Sequence, residues 1–498
     1  MTLSKSQYLR ALQCHKSLWL YKHRPQLRRQ PDAGEESLFD TGVQVGDLAK
    51  GLFPGGVEIP FDADDFDGMI AQTREWIDRG VEVIYEATFK ERGIFAMVDI
   101  LVRNGERWDL YEVKASAHLK NHYHDDAAIQ WYALSEALEL GRAYLVHINN
   151  RYERNGPLRL RRLFRIEDIT DEVLSRQETI PHRLQEIESM LRGDEPPIAI
   201  GPHCFEPHAC DFRSYCWRDV PAENSVFELS YANGKQWQLF AKGIDTIDNI
   251  PDDYPLGANA SLQVAHHKTG EIKIDKAKIR KFLERIEYPI NFFDFETFQE
   301  AIPRFDKERP YEQVPFQYSL HILYEDGHLE HREFLADENE DPREPLIRRM
   351  LEDLTPTGSI VAYNQSFEIT QIKNLARHFP RYETELLSLI DRFVDLAYPF
   401  QKKLYYHPGF KGGYSIKVVL PTLFPHDEEL DYAKLGSVQN GGDAMETFAK
   451  LHLLRDKTLR ETIRKDLLAY CRLDTLAMVR IWQKLQMSVD SHEATKWR

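Results

Sequence analysis

The sequence predicts an α/β protein made of two separately folded halves. Three observations predict it. The 498 residues exceed one ordinary core, because domains run at ~100–150 residues. Both halves alternate short apolar runs of strand length with longer stretches of helical period. Each half also carries acids inside such a run, where charge is costly unless something compensates it. The boundaries read as a first domain over residues 1–222, a connector over 223–286 and a second domain over 287–498. A hydrophobic fraction of 42% with 11% aromatic residues fills real cores and excludes a mostly disordered chain. No apolar run approaches the ~18 residues of a membrane helix, so no membrane partner is expected. The start, Met1 to Gln13, lacks the apolar stretch of a secretory leader, and the expected location is cytoplasmic. The net charge of −16, from 64 basic and 80 acidic residues, disfavours an all-over polyanion coat but leaves local basic surfaces free to act.

The elements follow in order. Ser4-Lys5-Ser6-Gln7 is a capping-box pattern that opens a short helix through Tyr8, Leu9 and Leu12. Three β-like runs, Val81–Phe89, Ile94–Val102 and Trp108–Val113, are separated by turn segments at Lys90–Gly93 and Asn104-Gly105. A helix over Asp125–Glu139, a buried strand over Ala143–Ile148 and a further strand over Leu158–Phe164 complete a β-β-β-α-β order. The connector holds a proline-rich stretch, Ile250–Pro255, and an amphipathic helix candidate, Lys276–Ile286. In the second half, strands are expected over Ile290–Phe295, Phe316–Leu323 and Ser359–Tyr363, with helices following Glu368 and covering Leu459–Met487.

The first set of acids lies on the meander. Glu86, Asp99 and Glu112 are separated by 13 residues each, a strand–turn–strand repeat that brings three carboxylates to neighbouring positions on one sheet. Glu112 and Lys114 are two apart and leave the same face. Asp99 sits inside Phe-Ala-Met-Val-Asp-Ile-Leu-Val, where a divalent cation would offset the cost of the charge, with Lys114 placed to orient or deprotonate water or to stabilise a phosphate. These residues resemble the RecB-like PD-(D/E)XK nucleases of the iron–sulfur type, the group that includes CRISPR-associated exonucleases. The resemblance implies a restriction-endonuclease-like core, Mg2+ or Mn2+ as cofactor, catalytic roles for Asp99, Glu112 and Lys114, and a supporting metal acid in Glu86. It also implies a helix glutamine, for which Gln130 is the match, since Tyr132 two residues on cannot share its face. The family's upstream Gly-x-x-x-His is Gly42-Val-Gln-Val-Gly46 here, without the histidine. His118, His122 and His124 read as a polar loop.

Clustered thiols in a reducing compartment indicate a metal or cluster rather than disulfides. Cys204, Cys210 and Cys216 form a C-x5-C-x5-C run, and Cys14 stands far upstream. The same resemblance implies that these four hold a [4Fe–4S] cluster, with a zinc ion bound by the same four thiolates as the alternative. Cys471 reads as a small buried apolar residue.

The second set begins with Asn291-Phe-Phe-Asp-Phe-Glu-Thr297, which puts Asp294 and Glu296 on one strand face and phenylalanines on the other. Like charges on adjacent same-face positions repel unless a cation lies between them. Far downstream, Tyr470 and Asp474 stand at i and i+4 of a helical stretch. Between them, Tyr363-Asn-Gln-Ser-Phe-Glu368 turns a strand into a helix. Strand Asp-x-Glu, a middle acid after Asn-x-x-Phe, and helix Tyr-x-x-x-Asp resemble the DEDDy 3′–5′ exonucleases of the ribonuclease H-like fold. That resemblance implies metal-binding roles for Asp294, Glu296, Glu368 and Asp474, with Tyr470 at the attacking water. Glu368 replaces the usual aspartate, and Asp395 is the reserve candidate. The stretches Tyr-Asn-Gln-Ser-Phe-Glu, Gly413-Tyr-Ser-Ile-Lys417 and Leu-Leu-Ala-Tyr-Cys-Arg-Leu-Asp-Thr are also similar to an uncharacterised domain family found fused to RecB-like nucleases.

Three segments are locally basic. Met1–Pro31 has seven Lys or Arg and no acid, Arg151–Arg165 has six arginines and one acid, and Phe400–Lys417 has four lysines interleaved with aromatic residues. Lysine on phosphates with rings on bases is how single strands are held. In the 151–165 segment, Arg159 and Arg161 would share a strand face. No G-x-x-x-x-G-K-[ST] is present, so unwinding would fall to a partner such as a helicase or another defence-system component. The expectation is a dual-site nuclease acting on DNA, single-stranded or at ends. The alternatives are an RNA-processing exonuclease and a nucleic-acid binding or assembly module.

Overall fold

The computed structural model describes residues 2–31 and 33–490. It is a mixed α/β structure of two compact units. One unit takes residues 1–219 and 300–312, the other residues 220–299 and 313–498.

The first unit starts with β1 (Leu3–Ser4), whose Ser4 caps α1 (Lys5–Gln13). Ser4 Oγ accepts from Gln7 N, and Gln7 Oε1 accepts from Ser4 N, so two otherwise orphaned amides are satisfied reciprocally. Next come α2 (His15–His23), α3 (Ala33–Lys50), β2 (Val57–Glu58) and α4 (Phe66–Asp78). The expected meander follows as β3 (Val83–Glu91), β4 (Ile94–Asn104) and β5 (Arg107–Lys114), then α5 (Asn121–Leu134), β6 (Leu140–Ile148) and β7 (Phe164–Asp168). The sheet order is β2-β3-β4-β5-β6-β7, with β1 pairing β4. β3, β4 and β5 run antiparallel, and β6 joins β5 in parallel. Ala87, Val98, Leu110, Ala128 and Leu145 pack α5 against this sheet in one continuous core.

In the second unit, β8 (Lys273–Ile274) pairs with β14 (Tyr405–Tyr406) outside the main sheet. The main sheet comprises β9 (Ile290–Phe298), β10 (Val314–Leu323), β11 (Leu329–Leu335), β12 (Ile360–Ala362) and β13 (Phe393–Asp395), in the order β11-β10-β9-β12-β13. β10 is antiparallel to both neighbours, and β12 and β13 continue in parallel from β9. The alternation in β9 sorts the two cores. Phe293 and Phe295 face the helices Arg343–Asp353 and Ser366–His378, while Phe292 faces the 34-residue helix Lys457–Asp490.

Several expected elements differ. Leu158–Phe164 is not a strand: Leu160–Leu163 forms one helical turn, and the strand begins at Phe164. Arg159 and Arg161 therefore do not share a strand face. The helix expected over Asp125–Glu139 is α5, which begins at Asn121 and carries His122 and His124, so those two are not in a loop. Residues 223–286 are no loose connector. Val226, Leu229, Leu239, Ile247 and Val264 close a small core of their own, because apolar residues spaced through short helices still find one another across turns. The 300–312 segment, between β9 and β10, belongs to the first unit, where Ala301 packs with Val146 and Ile148.

Candidate functional site

The structure places Asp99, Glu112, Lys114 and Gln130 close together in the first unit, and Asp294, Glu296, Tyr470 and Asp474 around one pocket in the second. In the first unit, the ladder pairs Tyr85 with Ile100 and Ala87 with Val98, which leaves Glu86 opposite Asp99. Glu86 has φ 54°, a left-handed conformation that is uncommon for a residue with a side chain. The Asp99 Oδ2 accepts from Val113 N at 2.6 Å, tying β4 to β5 at the level of Glu112. Lys114 Nζ donates to Glu112 Oε1 and to Asp126 Oδ2, each at 2.6 Å. Gln130 Nε2 donates to Glu112 Oε2 at 2.7 Å and to Asp126 Oδ1 at 3.1 Å, because Asp126 and Gln130 stand at i and i+4 on α5. Tyr132 points elsewhere, under the Arg92 guanidinium.

Two members of this group were not foreseen. Asp126 could have been found from its helical spacing to Gln130. Lys5, hidden inside the capping box, reaches Glu112 at 3.0 and 3.2 Å and Asp126 at 3.5 Å. The electrostatics follow from burial. Burial and the neighbouring Asp126 and Asp99 carboxylates push the Glu112 carboxyl up to about 7. Burial likewise raises Asp99, against the pull of Lys5 and Lys114. Asp126 is held below the usual carboxylate range, since the two lysines outweigh its own burial. Burial alone would make Lys114 easier to deprotonate, but Glu112, Asp126 and Asp99 hold its ammonium well above the ordinary value. An ammonium held in place this way is suited to stabilising the charge of a phosphate.

Cys14, Cys204, Cys210 and Cys216 line one cavity with Ile198, Ile200 and Phe212. Cys14 is held there by α1, whose Gln13 Nε2 donates to the carbonyls of His203 and His208 at 2.8 and 2.7 Å. Arg10 forms a two-pronged pair with Asp211 at 2.6 and 3.0 Å. Among the described residues, the group of three Cys, His, Asp or Glu donors lying within 4.8 Å of one another is in the second unit.

In the second unit, Asp294 and Glu296 project from β9 toward the Lys457–Asp490 helix. That helix is fixed to β10 by polar contacts. Gln317 Nε2 donates to Leu467 O at 2.8 Å, and the Thr475 hydroxyl meets Ser319 Oγ and His321 Nδ1, both at 2.7 Å. Tyr470, Cys471 and Asp474 are thereby set against Asp294 and Glu296. Cys471 Sγ lies 3.9 Å from Asp294 Oδ2, and Asp294, Glu296 and Cys471 make up the compact donor group. Asn364, at φ 73°, turns β12 into the Ser366–His378 helix and delivers Glu368 in its first turn. Glu368 is 2% exposed, and its Oε2 has no hydrogen-bond partner among the described residues. Asp395, the reserve acid, instead caps this turn by accepting from Asn364 N and Ala397 N, each at 2.9 Å.

The pocket is lined by Asp294, Glu296, Tyr363, Lys417, Gly441, Tyr470 and Asp474 among others. A Cβ on Gly441 would make only ordinary contact with Glu296 Oε2, at 3.8 Å, and with the Tyr470 hydroxyl, at 4.0 Å. Burial and then Asp474 lift Asp294 far above the usual carboxylate range. Burial, Asp294 and Asp474 lift Glu296 in the same way, and burial with Asp294 lifts Glu368. Lys417 and Tyr432 were not foreseen, although Lys417 closes the Gly-Tyr-Ser-Ile-Lys stretch. The Tyr432 hydroxyl donates to Asp474 Oδ1. Lys417 Nζ lies 3.4 Å from the same oxygen, and its ammonium sits over the rings of Tyr432 and Tyr470 at 3.1 and 4.5 Å. Burial lowers the Lys417 ammonium from its ordinary value despite Asp474. Chemically, this is a half-enclosed nest of acids that repel one another and can accept a divalent cation.

The basic segments behave differently from expectation. In Phe400–Lys417 the aromatic residues are core: Phe400, Tyr405, Tyr406 and Phe410 are buried, so they cannot stack on bases. Lys403 is buried as well, donating to Gly412 O. In the N-terminal segment, Lys5, Arg10, Lys16 and Arg28 are paired with Glu112, Asp211, Glu195 and Asp211. The 151–165 segment keeps Arg151, Arg159, Arg161, Arg162 and Arg165 exposed.

Residues 291–415 match the family described as "Domain of unknown function (DUF2779)". The chain is similar to "Uncharacterized protein UU173" of Ureaplasma parvum, 30% identical over 49% of this chain and 38% of that protein. It is similar too to "Uncharacterized protein MG366 homolog" of Mycoplasma pneumoniae, 25% identical over 41% of this chain and 33% of that one. The chain thus spans about two fifths or less of the length of these relatives. No solved structure matches. Among the described residues, no helix is long and apolar enough to cross a membrane.

Proposed function

We propose that this protein is a metal-dependent nuclease, hydrolysing phosphodiesters of DNA at single strands or ends. The observation that carries the reading is the convergence of Asp294, Glu296 and Asp474, from a strand and a distant helix, on one pocket that Tyr470 also lines, with the buried Glu368 near enough to Asp294 for the two charges to act on each other. The sheet order β11-β10-β9-β12-β13, with β10 antiparallel to its neighbours, supports a ribonuclease H-like DEDDy exonuclease unit. In the first unit, the order helix, three antiparallel strands, helix, parallel strand supports a PD-(D/E)XK core.

Asp294 and Glu296, with Glu368 in reach, would hold Mg2+ or Mn2+, which polarises a phosphoryl oxygen and lowers the pKa of bound water. Asp474 is oriented by Tyr432 and Lys417. The Tyr470 hydroxyl, in the same pocket as Glu296, would orient the attacking water. The Lys417 ammonium would meet the charge that develops on the phosphate. In the first unit, Lys114 would do the same beside Asp99 and Glu112. Cys14, Cys204, Cys210 and Cys216 would hold a [4Fe–4S] cluster that fastens α1 to the 203–216 loop, since phosphodiester hydrolysis transfers no electron. The five exposed arginines of the 151–165 segment supply a phosphate-binding surface.

A second reading has a specific observation in its favour. Lys5 and Lys114 already compensate Glu112 and Asp126, which suits a first site that binds nucleic acid without cutting it. A time course on end-labelled single- and double-stranded DNA and RNA with Mn2+ separates these, using the parent, Asp99→Ala, Asp294→Ala and the double variant. Loss of one activity in each single variant is the expected result. An Asp99→Ala chain that cuts like the parent selects the second reading. A double variant that degrades every substrate like the parent overturns both.

A further inference from the structure

We infer that Cys471 is a ligand of the cation held in the second unit, which makes this pocket a site for a divalent transition ion in preference to Mg2+. The inference rests on the reading above that these acids hold a divalent ion, and it goes further by naming the ion's chemical class and an additional donor.

The argument starts from the helix. Tyr470 and Asp474 share a face at i and i+4, and Cys471 and Asp474 share it at i and i+3. All three side chains therefore turn toward β9. Cys471 is fully buried, with its Sγ 3.8 Å from the Asp294 carbonyl oxygen and 3.9 Å from its Oδ2. It belongs with Asp294 and Glu296 to a set whose donor atoms all lie within 4.8 Å of one another. A thiol chosen only to fill space would face apolar neighbours, and this one faces carboxylates. A second observation points the same way: among the described residues Glu368 Oε2 is buried with no hydrogen-bond partner, and Asp294 and Glu368 act on each other electrostatically. Two carboxylate oxygens and a sulfur form a mixed donor set. Mg2+ demands near-ideal octahedral oxygen coordination and gains nothing from a thiolate. Mn2+, Fe2+, Co2+ and Zn2+ accept one, and the bond forms as the thiol proton is released to solvent.

The test is a Co2+ titration of the full chain, followed by absorbance and calorimetry and repeated in competition with Mg2+, for the parent, Cys471→Ser, Cys471→Ala and Asp294→Ala. Thiols of the four-cysteine cavity contribute their own sulfur-to-cobalt charge-transfer absorbance, so the readout is the part that disappears in Asp294→Ala. The expected result is that both Cys471 variants retain the Asp294-dependent Co2+ but lose its near-ultraviolet charge-transfer band. Their preference for Co2+ over Mg2+ falls about tenfold, the lower range for a disturbed metal shell. Circular dichroism identical to the parent establishes that the variants are folded. If both Cys471 variants keep the band and the preference while Asp294→Ala loses a Co2+, Cys471 is no ligand and the metal-dependent reading stands. If Asp294→Ala binds as much Co2+ as the parent with the same spectrum, the cation site itself is refuted, and the inference with it.

Discussion

The two acid clusters solve the same electrostatic problem in opposite ways. In the first, Glu112 and Asp126 are clasped between Lys5 and Lys114 at 2.6–3.5 Å. In the second, Asp294, Glu296 and Glu368 have one cation nearby, Lys417, and it pairs with Asp474 at 3.4 Å. In the first cluster two ammonium groups stand against Glu112 and Asp126, with Asp99 and Glu86 beside them. The second is a concentration of acids in which burial and mutual repulsion raise Asp294, Glu296 and Glu368 well above the usual carboxylate range. Two clusters with similar acid counts thus differ in the cationic side chains that stand beside them.

The contrast is most directly broken at Asp294. Asp294→Ala is expected to weaken Mn2+ binding in the second unit by more than about 100-fold, beyond what disturbing a ligand's outer partners costs. Calorimetry checks it, and unchanged Mn2+ stoichiometry would put the two clusters on the same footing.

Lys5→Met tests the opposite pole. Removing one partner from a buried ion network leaves Glu112 and Asp126 undercompensated, and the first unit is expected to lose about 3 kcal/mol in urea denaturation. Saturating Mn2+ should recover part of that loss, since a cation can then take the position of the ammonium. No loss would mean that the lysine pairs are ornamental.

A pH series sharpens the comparison. The Glu112 carboxyl is raised in the folded state from 4.5 to about 7, so its stabilising contribution is complete below about 4.5 and is lost as pH climbs to about 7. Over the same window the deprotonated form becomes available to a cation. The rise in the thermal midpoint caused by Mn2+ should therefore grow with pH up to about 7 and level off in Asp294→Ala protein, which isolates the first cluster. Flat behaviour through that window would contradict the raised carboxyl.

The smallest expected effect is at the capping box. Ser4→Ala removes the bond to Gln7 N and should cost about 1 kcal/mol, read as a lower denaturation midpoint. It also loosens the residue before Lys5, so its effect on Mn2+ affinity in the first unit reports how firmly Lys5 is presented.

Local pattern carried a large share of this outcome. The meander, the 13-residue spacing of its acids, the capping box and the Asp-x-Glu strand were legible because a strand's period of two and a helix's period of 3.6 act on neighbouring residues. The turn at Leu160–Leu163 and the core formed by residues 226–264 were not, since short elements have weak periodicity and are held by contacts distant in sequence. The aromatic run in Phe400–Lys417 misled for a related reason: composition does not say which way a ring points.

What the chain determined by itself was therefore the set of elements and the faces on which their acids lie. Tertiary structure alone decided the company those acids keep. It placed Lys5 within 3.2 Å of Glu112 across 107 residues, and Cys471 within 3.9 Å of Asp294 across 177. The physical reason is that a carboxylate's behaviour depends on charges and burial within a few ångströms, and those are set by chain closure over distances that no local period encodes.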